Sequence, residues 1–180
     1  MCIRDRIERL EPLHTRIPAP EPGDWLAQHD EPGQTFRQYL NSNPVTPRGE
    51  RTKIYIQPIG EFSAKESEVV TLTAEFMRRY FQTEVVLREV VPDTIVPESA
   101  RRVHPSWGVP QILTTYVLHD VLAPDLPDDA AAFLAFTSSD LWPGEGWNFV
   151  FGQASLRRRV GVWSIARNGD AEGTPAEYQL

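Results

Sequence analysis

Hydrophobic positions change their spacing between residues 53 and 81. Ile54-Tyr55-Ile56-Gln57-Pro58-Ile59-Gly60 is an apolar run rich in β-branched residues and closed by glycine, which predicts a buried strand. Ser63 and Glu66 then have the spacing of a capping box, which predicts that a helix begins there and continues to about Phe81. The apolar residues at helical spacings of three and four are Val69, Leu72, Phe76 and Tyr80. They predict an apolar face on this helix.

Three further apolar segments follow. The apolar segment Glu84–Val91 is predicted to be a second strand, which ends before Pro92. The prolines at positions 97, 105 and 110 predict a loop, because proline fixes its own φ and restricts the residue before it. Gln111–Leu122 carries a wide apolar stripe and predicts a second helix. Ala131–Ser138 predicts a third buried strand.

Two short segments near the end of the chain predict a hairpin. Asn148–Ala154 and Val160–Ala166 both read as strands, and the five residues 155–159 that join them are too few for a parallel crossover. Right-handed crossovers make the first three strands parallel. We therefore predict an α/β fold: a twisted, mostly parallel five-stranded sheet in which Asn148–Ala154 is an antiparallel edge strand.

The proline distribution divides the chain. Residues 7–50 hold seven of the 16 prolines and predict an extended amino-terminal arm over residues 1–50, with one short helix near Gln34–Asn41. Residues 51–170 form the predicted domain, and 171–180 a polar tail. Residues 1–6 resemble a translated adaptor more than a native start. Two helices cover a five-stranded sheet thinly, so we expect another helix beyond Leu180.

Composition limits the classes of function. A net charge of −7 and a pI near 5.1 disfavour nucleic acid as a partner. No apolar run approaches the roughly 20 residues that span a bilayer, so no membrane association is expected. The single cysteine, Cys2, excludes an internal disulfide and fits a reducing compartment; with no leader pattern, the expected location is cytoplasmic.

Candidate chemical groups are few. No two histidines are spaced three or four residues apart, so no helical zinc pair is predicted. Asp140 and Glu145 flank a Trp- and Gly-rich loop. Either they shape the cleft or a cation site, or, as we favour, Asp140 caps a turn and Glu145 faces solvent. The Arg157–Arg159 run is expected to be solvated. Trp142 and Trp147 are candidates for lining a pocket, whereas Trp163 is expected in the core.

Three segments resemble a known family. Ile54–Phe62, Arg101–Leu122 and especially Asp140–Asp170, with its run Asp-Leu-Trp-Pro-Gly-Glu-Gly-Trp-Asn-Phe-Val-Phe-Gly, are similar to archaemetzincins. The resemblance implies a metzincin-like amino-terminal catalytic subdomain of a zinc-dependent metallopeptidase, with an aminopeptidase-like preference in some members. It also implies that the edge strand aligns a peptide or protein substrate. The backbone groups of Phe149, Phe151 and Gln153 are the candidate substrate-binding groups.

The sequence departs from the family pattern, because it lacks both the zinc-binding motif and the cysteine pairs of a second, structural zinc site. No His-Glu-x-x-His occurs in its 180 residues, so no catalytic or metal-binding residue is expected in this chain. The resemblance implies that zinc and its ligands belong to a carboxy-terminal half of the same protein, and that this chain binds no metal and is inactive alone. The alternative is a non-catalytic α/β module that binds a peptide or a partner.

Overall fold

The computed structural model describes residues 11–13, 15, 18–22, 24–29, 32–44, 46–169 and 173. The chain divides into two compact units, Met1–Pro44 and Val45–Leu180. The adaptor-like residues 1–6 and the predicted polar tail, apart from residue 173, lie outside the described residues. The predicted boundary at residue 50 therefore stays a prediction.

The described residues of the first unit contain a short 3-10 helix (Glu11–Leu13) and two short α-helices, α1 (Trp25–Gln28) and α2 (Phe36–Asn41). The Thr35 side chain accepts a hydrogen bond from the Gln38 amide, and the Gln38 side chain accepts one from the Thr35 amide, so that α2 begins with a capping box. The helix predicted near residues 34–41 is thus present. No helix within the described ranges is long and apolar enough to cross a membrane.

Every strand among the described residues lies in the second unit. In chain order its elements are β1 (Lys53–Ile59), α3 (Ala64–Phe81), β2 (Glu84–Leu87), β3 (Arg101–Val103), β4 (Pro110–Leu113), α4 (Thr114–Tyr116) with a π-helical continuation (Val117–Leu122), β5 (Ala130–Thr137), β6 (Asp140–Trp142), β7 (Gly152–Ser155) and β8 (Val160–Ser164). The capping box predicted for α3 is present, because Ser63 accepts from the Glu66 amide and Glu66 accepts from the Ser63 amide.

The main sheet has the strand order β2-β1-β5-β8-β7. β1 pairs in parallel with β2 and β5, and β5 pairs in parallel with β8. β7 pairs antiparallel with β8 at the edge, as the short connection between them requires. The predicted mostly parallel five-stranded sheet with an antiparallel edge strand is confirmed.

Each face of this sheet is covered by a different helix, because successive residues of a strand point to opposite faces. The cluster on one face contains Ile54 and Ile56 of β1 with Val70 and Ala74 of α3. The cluster on the other face contains Phe133 and Ala135 of β5 with Val117, Leu118 and Leu122 of the π-helical segment. In that segment the Ala123 amide donates to the Leu118 carbonyl at 3.1 Å, a five-residue spacing.

The predicted apolar face of α3 is wrong. Leu72, Phe76 and Tyr80 are 57%, 64% and 69% exposed, and the two aromatic rings stack on each other with centroids 5.6 Å apart. The helix packs through Val70 and Ala74, one turn apart. These smaller side chains let the helix lie close to the sheet, and they form a second apolar stripe that the larger residues obscured in the sequence.

The predicted helix Gln111–Leu122 is also wrong in its first part. Pro110–Leu113 is β4, the centre of a second, three-stranded sheet of order β3-β4-β6, and the helix begins only at Thr114. β3 lies in the segment predicted to be a loop. Strands of three or four residues are too short to show an alternating pattern, so this sheet left no signal in the sequence.

The predicted edge strand Asn148–Ala154 is shorter than expected. Val150 forms an antiparallel bridge to Leu141 of β6, and only from Gly152 does the chain join β8. The predicted strand Glu84–Val91 also ends earlier, at Leu87, although Val91 still forms a parallel bridge to the end of β1.

Trp163 does not lie in the core, contrary to the prediction. The residue is 36% exposed, and its ring lies across Gly152 and Gly161, where an added Cβ would overlap with the indole. Trp163 is also the Cα partner of Phe136 in β5. It therefore covers the hairpin β7–β8 on the face of the sheet that α3 occupies further along.

Candidate edge-strand site

β7 is the edge of the main sheet within the described part of the chain. The Ser164 amide donates to the Phe151 carbonyl at 2.8 Å, and the register continues with Gln153 opposite Val162. In an antiparallel pair, residues whose backbone groups face the partner alternate with residues whose groups face away. The backbone groups of Gly152 and Ala154 are therefore directed away from β8, towards the open side.

The three residues expected to bind substrate occupy three different environments. Phe149 lies before β7 and is partly buried, and Phe151 directly precedes β7 and is 56% exposed. Gln153 lies within β7, and its side-chain oxygen accepts a hydrogen bond from the Thr114 hydroxyl. The Phe151 carbonyl is already bonded to β8, so the outward backbone groups belong to the residues that alternate with the expected ones.

A buried ion pair lies beside the start of this edge. Arg167 donates to both carboxylate oxygens of Asp140, from Nε at 2.7 Å and from Nη2 at 2.8 Å, and Gln111 Nε2 donates to the same carboxylate at 2.8 Å. Burial raises the pKa of Asp140, but the hydrogen bonds from Arg167 and Gln111 and the charge of Arg167 outweigh it, so the pKa lies below its usual value. The hydrogen bond to Asp140 raises the pKa of Arg167.

Asp140 thus does not cap a turn, which corrects the favoured expectation for this residue. Asp140 is the first residue of β6. Its carboxylate accepts hydrogen bonds from side chains of this chain, Arg167 among them, rather than binding a metal ion. Glu145 is exposed, as expected. In the Arg157–Arg159 run, the first two residues are exposed, but Arg159 is half-buried and donates to the Ala130 carbonyl.

Arg102 fastens the loop that leads into β7. Its Nη2 donates to the carbonyls of Trp147 and Asn148, each at 2.9 Å, and its Nε donates to Gln111 Oε1 at 2.8 Å. Its guanidinium lies 4.2 Å from the ring centroid of Trp142. Burial lowers the pKa of Arg102. The loop is thereby tied to β3 and β4 immediately before the edge strand begins.

Aromatic rings adjoin this network. Trp107 meets Phe149 edge to face at 6.0 Å, and Phe149 meets Phe151 in the same way at 5.5 Å. The Arg167 guanidinium lies 3.8 Å from the ring centroid of Phe149 and 4.9 Å from that of Trp107. The rings of Trp107 and His104 stack at 3.9 Å. We call Trp107, Phe149 and Phe151 the aromatic cluster.

A cleft of about 480 Å³ opens beside β3 and β4, with Arg101 and Arg102 in its wall. Arg101 is paired with Asp93 at 3.0 Å, and Arg102 is held by Gln111 and the loop carbonyls. Both guanidinium groups therefore serve to brace the structure around the cleft.

The described residues do not fit a zinc ion. They contain no group of three or more histidine, cysteine, aspartate or glutamate side chains placed to hold a metal. The buried His104 accepts hydrogen bonds at Nδ1 from the amides of Ser106 and Trp107, both at 3.2 Å, so this nitrogen is occupied. His119 is exposed on the π-helical segment, and His14 lies outside the described residues. We therefore derive no chemical step through zinc from this chain.

Sequence reasoning missed most of this network, although one signal was available. Asp140 and Arg167 follow two strands predicted to be parallel, and the carboxyl ends of adjacent parallel strands meet at one edge of a sheet. A negative and a positive side chain in those two places indicate an ion pair. Gln111 and Arg102 had no such signal, because one was assigned to a helix and the other to a loop.

Several known proteins are similar in sequence to this chain over most of its length. Archaemetzincin-2 from Homo sapiens is 36% identical over 154 residues, which cover 82% of this chain and 42% of that protein. Archaemetzincin-2 from Mus musculus is 32% identical over 151 residues. Archaemetzincin-1 from Homo sapiens is 31% identical over 147 residues, covering 80% of this chain and 29% of that protein. No family model matches the chain.

Solved structures share the fold. The crystal structure of an archaemetzincin from Methanopyrus kandleri has a TM-score of 0.51 at 27% identity and matches 74% of this chain and 67% of its own. That of an archaemetzincin from Archaeoglobus fulgidus, complexed with malonate, has a TM-score of 0.50 at 28% identity and matches 67% and 65%.

Together, the sheet with its antiparallel edge strand and these matches place the chain in a family of zinc metallopeptidases. More particularly, it belongs to the archaemetzincins. The chain spans about two-fifths of the length of the curated relatives that are 36% identical to it. For the human protein the aligned share of its length is 42%.

Proposed function

We propose that this chain forms the amino-terminal part of the catalytic domain of a zinc-dependent metallopeptidase, in which β7 aligns a peptide or protein substrate as an added strand. The observation that carries the proposal is the antiparallel edge position of β7, with the backbone groups of Gly152 and Ala154 directed outward. An added strand bonds through main-chain groups, which every peptide possesses. Such an edge therefore suits an enzyme that cleaves peptide bonds.

The edge is proposed to fix the register of the substrate rather than to perform chemistry. Hydrogen bonds to the outward groups of Gly152 and Ala154 would hold an extended peptide in one orientation, which lowers the entropy cost of reaching a reactive geometry. Phe151 and Gln153 alternate with these residues, and Phe149 precedes them. In this proposal the side chains of all three residues surround the backbone groups of Gly152 and Ala154 and help to hold the edge strand in place.

Zinc and the general base are proposed to come from a part of the full-length protein outside this chain. The face of the sheet beside α3 supports this proposal, because Leu134 and Phe136 of β5 are only partly buried there and Trp163 lies next to them. An apolar surface of this kind suits a helix packed alongside α3. Alone, the chain is proposed to be inactive, and an aminopeptidase-like preference belongs to the complete enzyme.

Two assays on the purified chain test this function. Fluorogenic peptides with added zinc should show no hydrolysis, and dialysed protein should hold no stoichiometric zinc. Capped extended peptides should nevertheless bind, and the same peptides N-methylated at every residue should not, because full methylation removes the donors from both edges of the peptide. Cleavage by the chain, tightly bound zinc, or binding insensitive to N-methylation contradicts the proposal.

A non-catalytic peptide-binding module is the alternative, and the same free edge favours it. The two functions share the binding step and differ in hydrolysis by a longer form of the protein. A gene that continues into His-Glu-x-x-His, and whose longer product cleaves peptides with zinc, supports the peptidase. The cytoplasmic location stays a prediction.

A further inference from the structure

The main sheet has a second open edge within the described part of the chain, β2 (Glu84–Leu87), at the opposite end from β7. The Arg88 amide, directly after β2, donates to the Ile56 carbonyl of β1 at 2.9 Å. Successive residues of a strand direct their backbone groups to opposite sides, so those of Val85 and Leu87 point away from β1. These groups pair with no other strand that the structure describes, and they can accept one.

A groove of about 260 Å³ lies between this edge and α3. Leu87 and Val90 lie in its wall and are 40% and 55% exposed, and Phe81, the last residue of α3, is 51% exposed. Neighbouring exposed apolar side chains indicate a surface that another molecule covers. The edge and the groove therefore form one candidate docking surface.

The sequence of the edge is complementary to itself. If two copies pair antiparallel about a two-fold axis at Val86, Val85 of each copy lies opposite Leu87 of the other, and their outward backbone groups bond to each other. Glu84 then lies opposite Arg88 of the second copy. Opposite charges and apolar pairs directly across two strands are stabilising. The neighbouring registers that keep the backbone bonds place both charges opposite uncharged residues instead.

The two charges are available for this pairing, because their contacts within one chain are exposed. Glu84 is paired with Lys53 at 3.6 Å, and its side chain is 60% exposed. Arg88 is paired with Asp125, whose side chain is 63% exposed, and it also lies over the Phe133 ring. Exposed contacts of these kinds contribute little to stability, so both side chains can turn towards a second copy.

The same register fills the groove. Gln82 of the second copy lies level with Val90, and Phe81 precedes Gln82 at the end of α3. A two-fold axis perpendicular to the sheet puts α3 of both copies on the same face. The Phe81 ring of each copy is thereby brought to the groove of the other, beside Leu87 and Val90, where its exposed apolar surface is buried.

We propose that the β2 edge is a homodimer interface, in which two copies of this chain pair antiparallel about Val86 and join their main sheets into one. The proposal goes beyond the proposed function and does not rest on it. Pairing through β2 leaves β7 unpaired at both outer ends of the joined sheet. The short edge provides few backbone bonds, so the dimer is weak, with a dissociation constant of about 10–100 µM.

Sedimentation equilibrium on the purified chain tests the interface. The average mass should rise from 20.4 kDa towards twice this value between about 5 and 300 µM protein. Glu84→Arg and Arg88→Glu each place like charges opposite each other twice in the dimer, so each should raise the dissociation constant at least about tenfold. Glu98→Arg, at an exposed carboxylate outside β2, is the matched control and should change nothing.

An equimolar mixture of Glu84→Arg and Arg88→Glu gives the sharpest result. The introduced arginine of one chain then lies opposite the introduced glutamate of the other, so the mixture should dimerise about as well as the wild type. Recovery of the dimer also shows that both variants are folded. A wild-type chain that stays monomeric, association that neither variant weakens, or a mixture of folded variants that does not recover it overturns the interface.

Phe81→Ser tests the groove and leaves both charges in place. It should weaken dimerisation about fivefold, because the apolar surface buried in the groove is lost. Phe76→Ser is the matched control, since Phe76 is also exposed but lies about 140° further round the axis of α3. An equal effect of the two substitutions, or no effect of Phe81→Ser, contradicts the placement of the second copy.

Discussion

Asp140 and Arg167 form a two-point ion pair between residues 27 positions apart, with oxygen–nitrogen distances of 2.7 and 2.8 Å. Asp140 follows β5 and Arg167 follows β8, so the pair joins the chain beyond the carboxyl ends of two neighbouring parallel strands. The same guanidinium lies against Phe149. One buried carboxylate thereby connects the sheet to the aromatic cluster beside the edge strand.

Asp140→Asn should destabilise the chain by about 2–3 kcal/mol, because it leaves Arg167 without its charged partner. The cost stays below that of a fully buried pair, since the Arg167 side chain is 27% exposed and can reach water. Urea unfolding measures the change. Asp125→Asn is the control: its ion pair with Arg88 is exposed, so the loss should be below about 1 kcal/mol. Equal losses in both variants contradict this role for Asp140.

The ion pair also predicts how stability depends on pH. The pKa of Asp140 in the folded chain lies below its value in the unfolded chain, which is about 3.9. Its contribution is therefore fully present above about pH 4 and is lost as pH falls through the folded-state pKa. The difference in unfolding free energy between wild type and Asp140→Asn should shrink on acidification.

Comparing the wild type with Asp140→Asn separates the effect of Asp140 on stability from the effects of other carboxylates. Hydrogen bonds from Arg78 and Arg79 lower the pKa of Glu75 to about 2, so the contribution of Glu75 to stability is also lost on acidification. Glu75 is present in both proteins, and its effect cancels in the difference. A difference that stays constant down to about pH 2 contradicts the assignment.

Gly161→Ala should destabilise the chain by about 1–3 kcal/mol, because the new methyl group overlaps with the Trp163 indole. In a Trp163→Ala background the same substitution should cost less than about 0.5 kcal/mol, since the obstacle is gone. Thermal or urea unfolding of the four proteins in this cycle gives the coupling. Gly33→Ala, at a glycine with open space around its Cβ position, should be nearly neutral. An additive cycle contradicts the packing of Trp163 on Gly161.

Two substitutions on α3 distinguish the predicted face from the observed one. Val70→Ala should cost about 2 kcal/mol, because Val70 is 4% exposed and packs on β1. Phe76→Ser should cost less than about 1 kcal/mol, because Phe76 is 64% exposed and loses mainly its stacking with Tyr80. Urea unfolding gives both values, and the reverse order contradicts the observed packing of the helix.

The topology of the main sheet was predictable because its constraints are local. The apolar run in β1, the capping box at Ser63 and the short link between β7 and β8 each specify an element or a pairing direction. The face of α3 was not predictable from spacing, because two apolar stripes compete and only packing against β1 decides between them. The second sheet depends on pairing between residues up to 29 positions apart, such as Gln111 and Asp140, which the spacing of apolar residues does not report.

Less of the site was predictable. The sequence indicated an edge strand near residues 148–154, but which backbone groups face outward depends on register, and the bridge from Val150 to Leu141 delays the start of β7. The roles of Arg102 and Gln111 depend on the second sheet and were missed with it. The family resemblance provided what physical patterns could not, namely zinc peptidase chemistry that no cluster among the described residues displays.

Amide hydrogen exchange at β7 tests the central claim most directly. Exchange is measured residue by residue on the purified chain, with and without a saturating capped peptide. If a peptide adds as a strand, the outward amides of Gly152 and Ala154 should exchange at least about tenfold more slowly, whereas the Gln153 amide, already facing β8, should change little. Unchanged exchange at Gly152 and Ala154 with peptide bound would contradict the account.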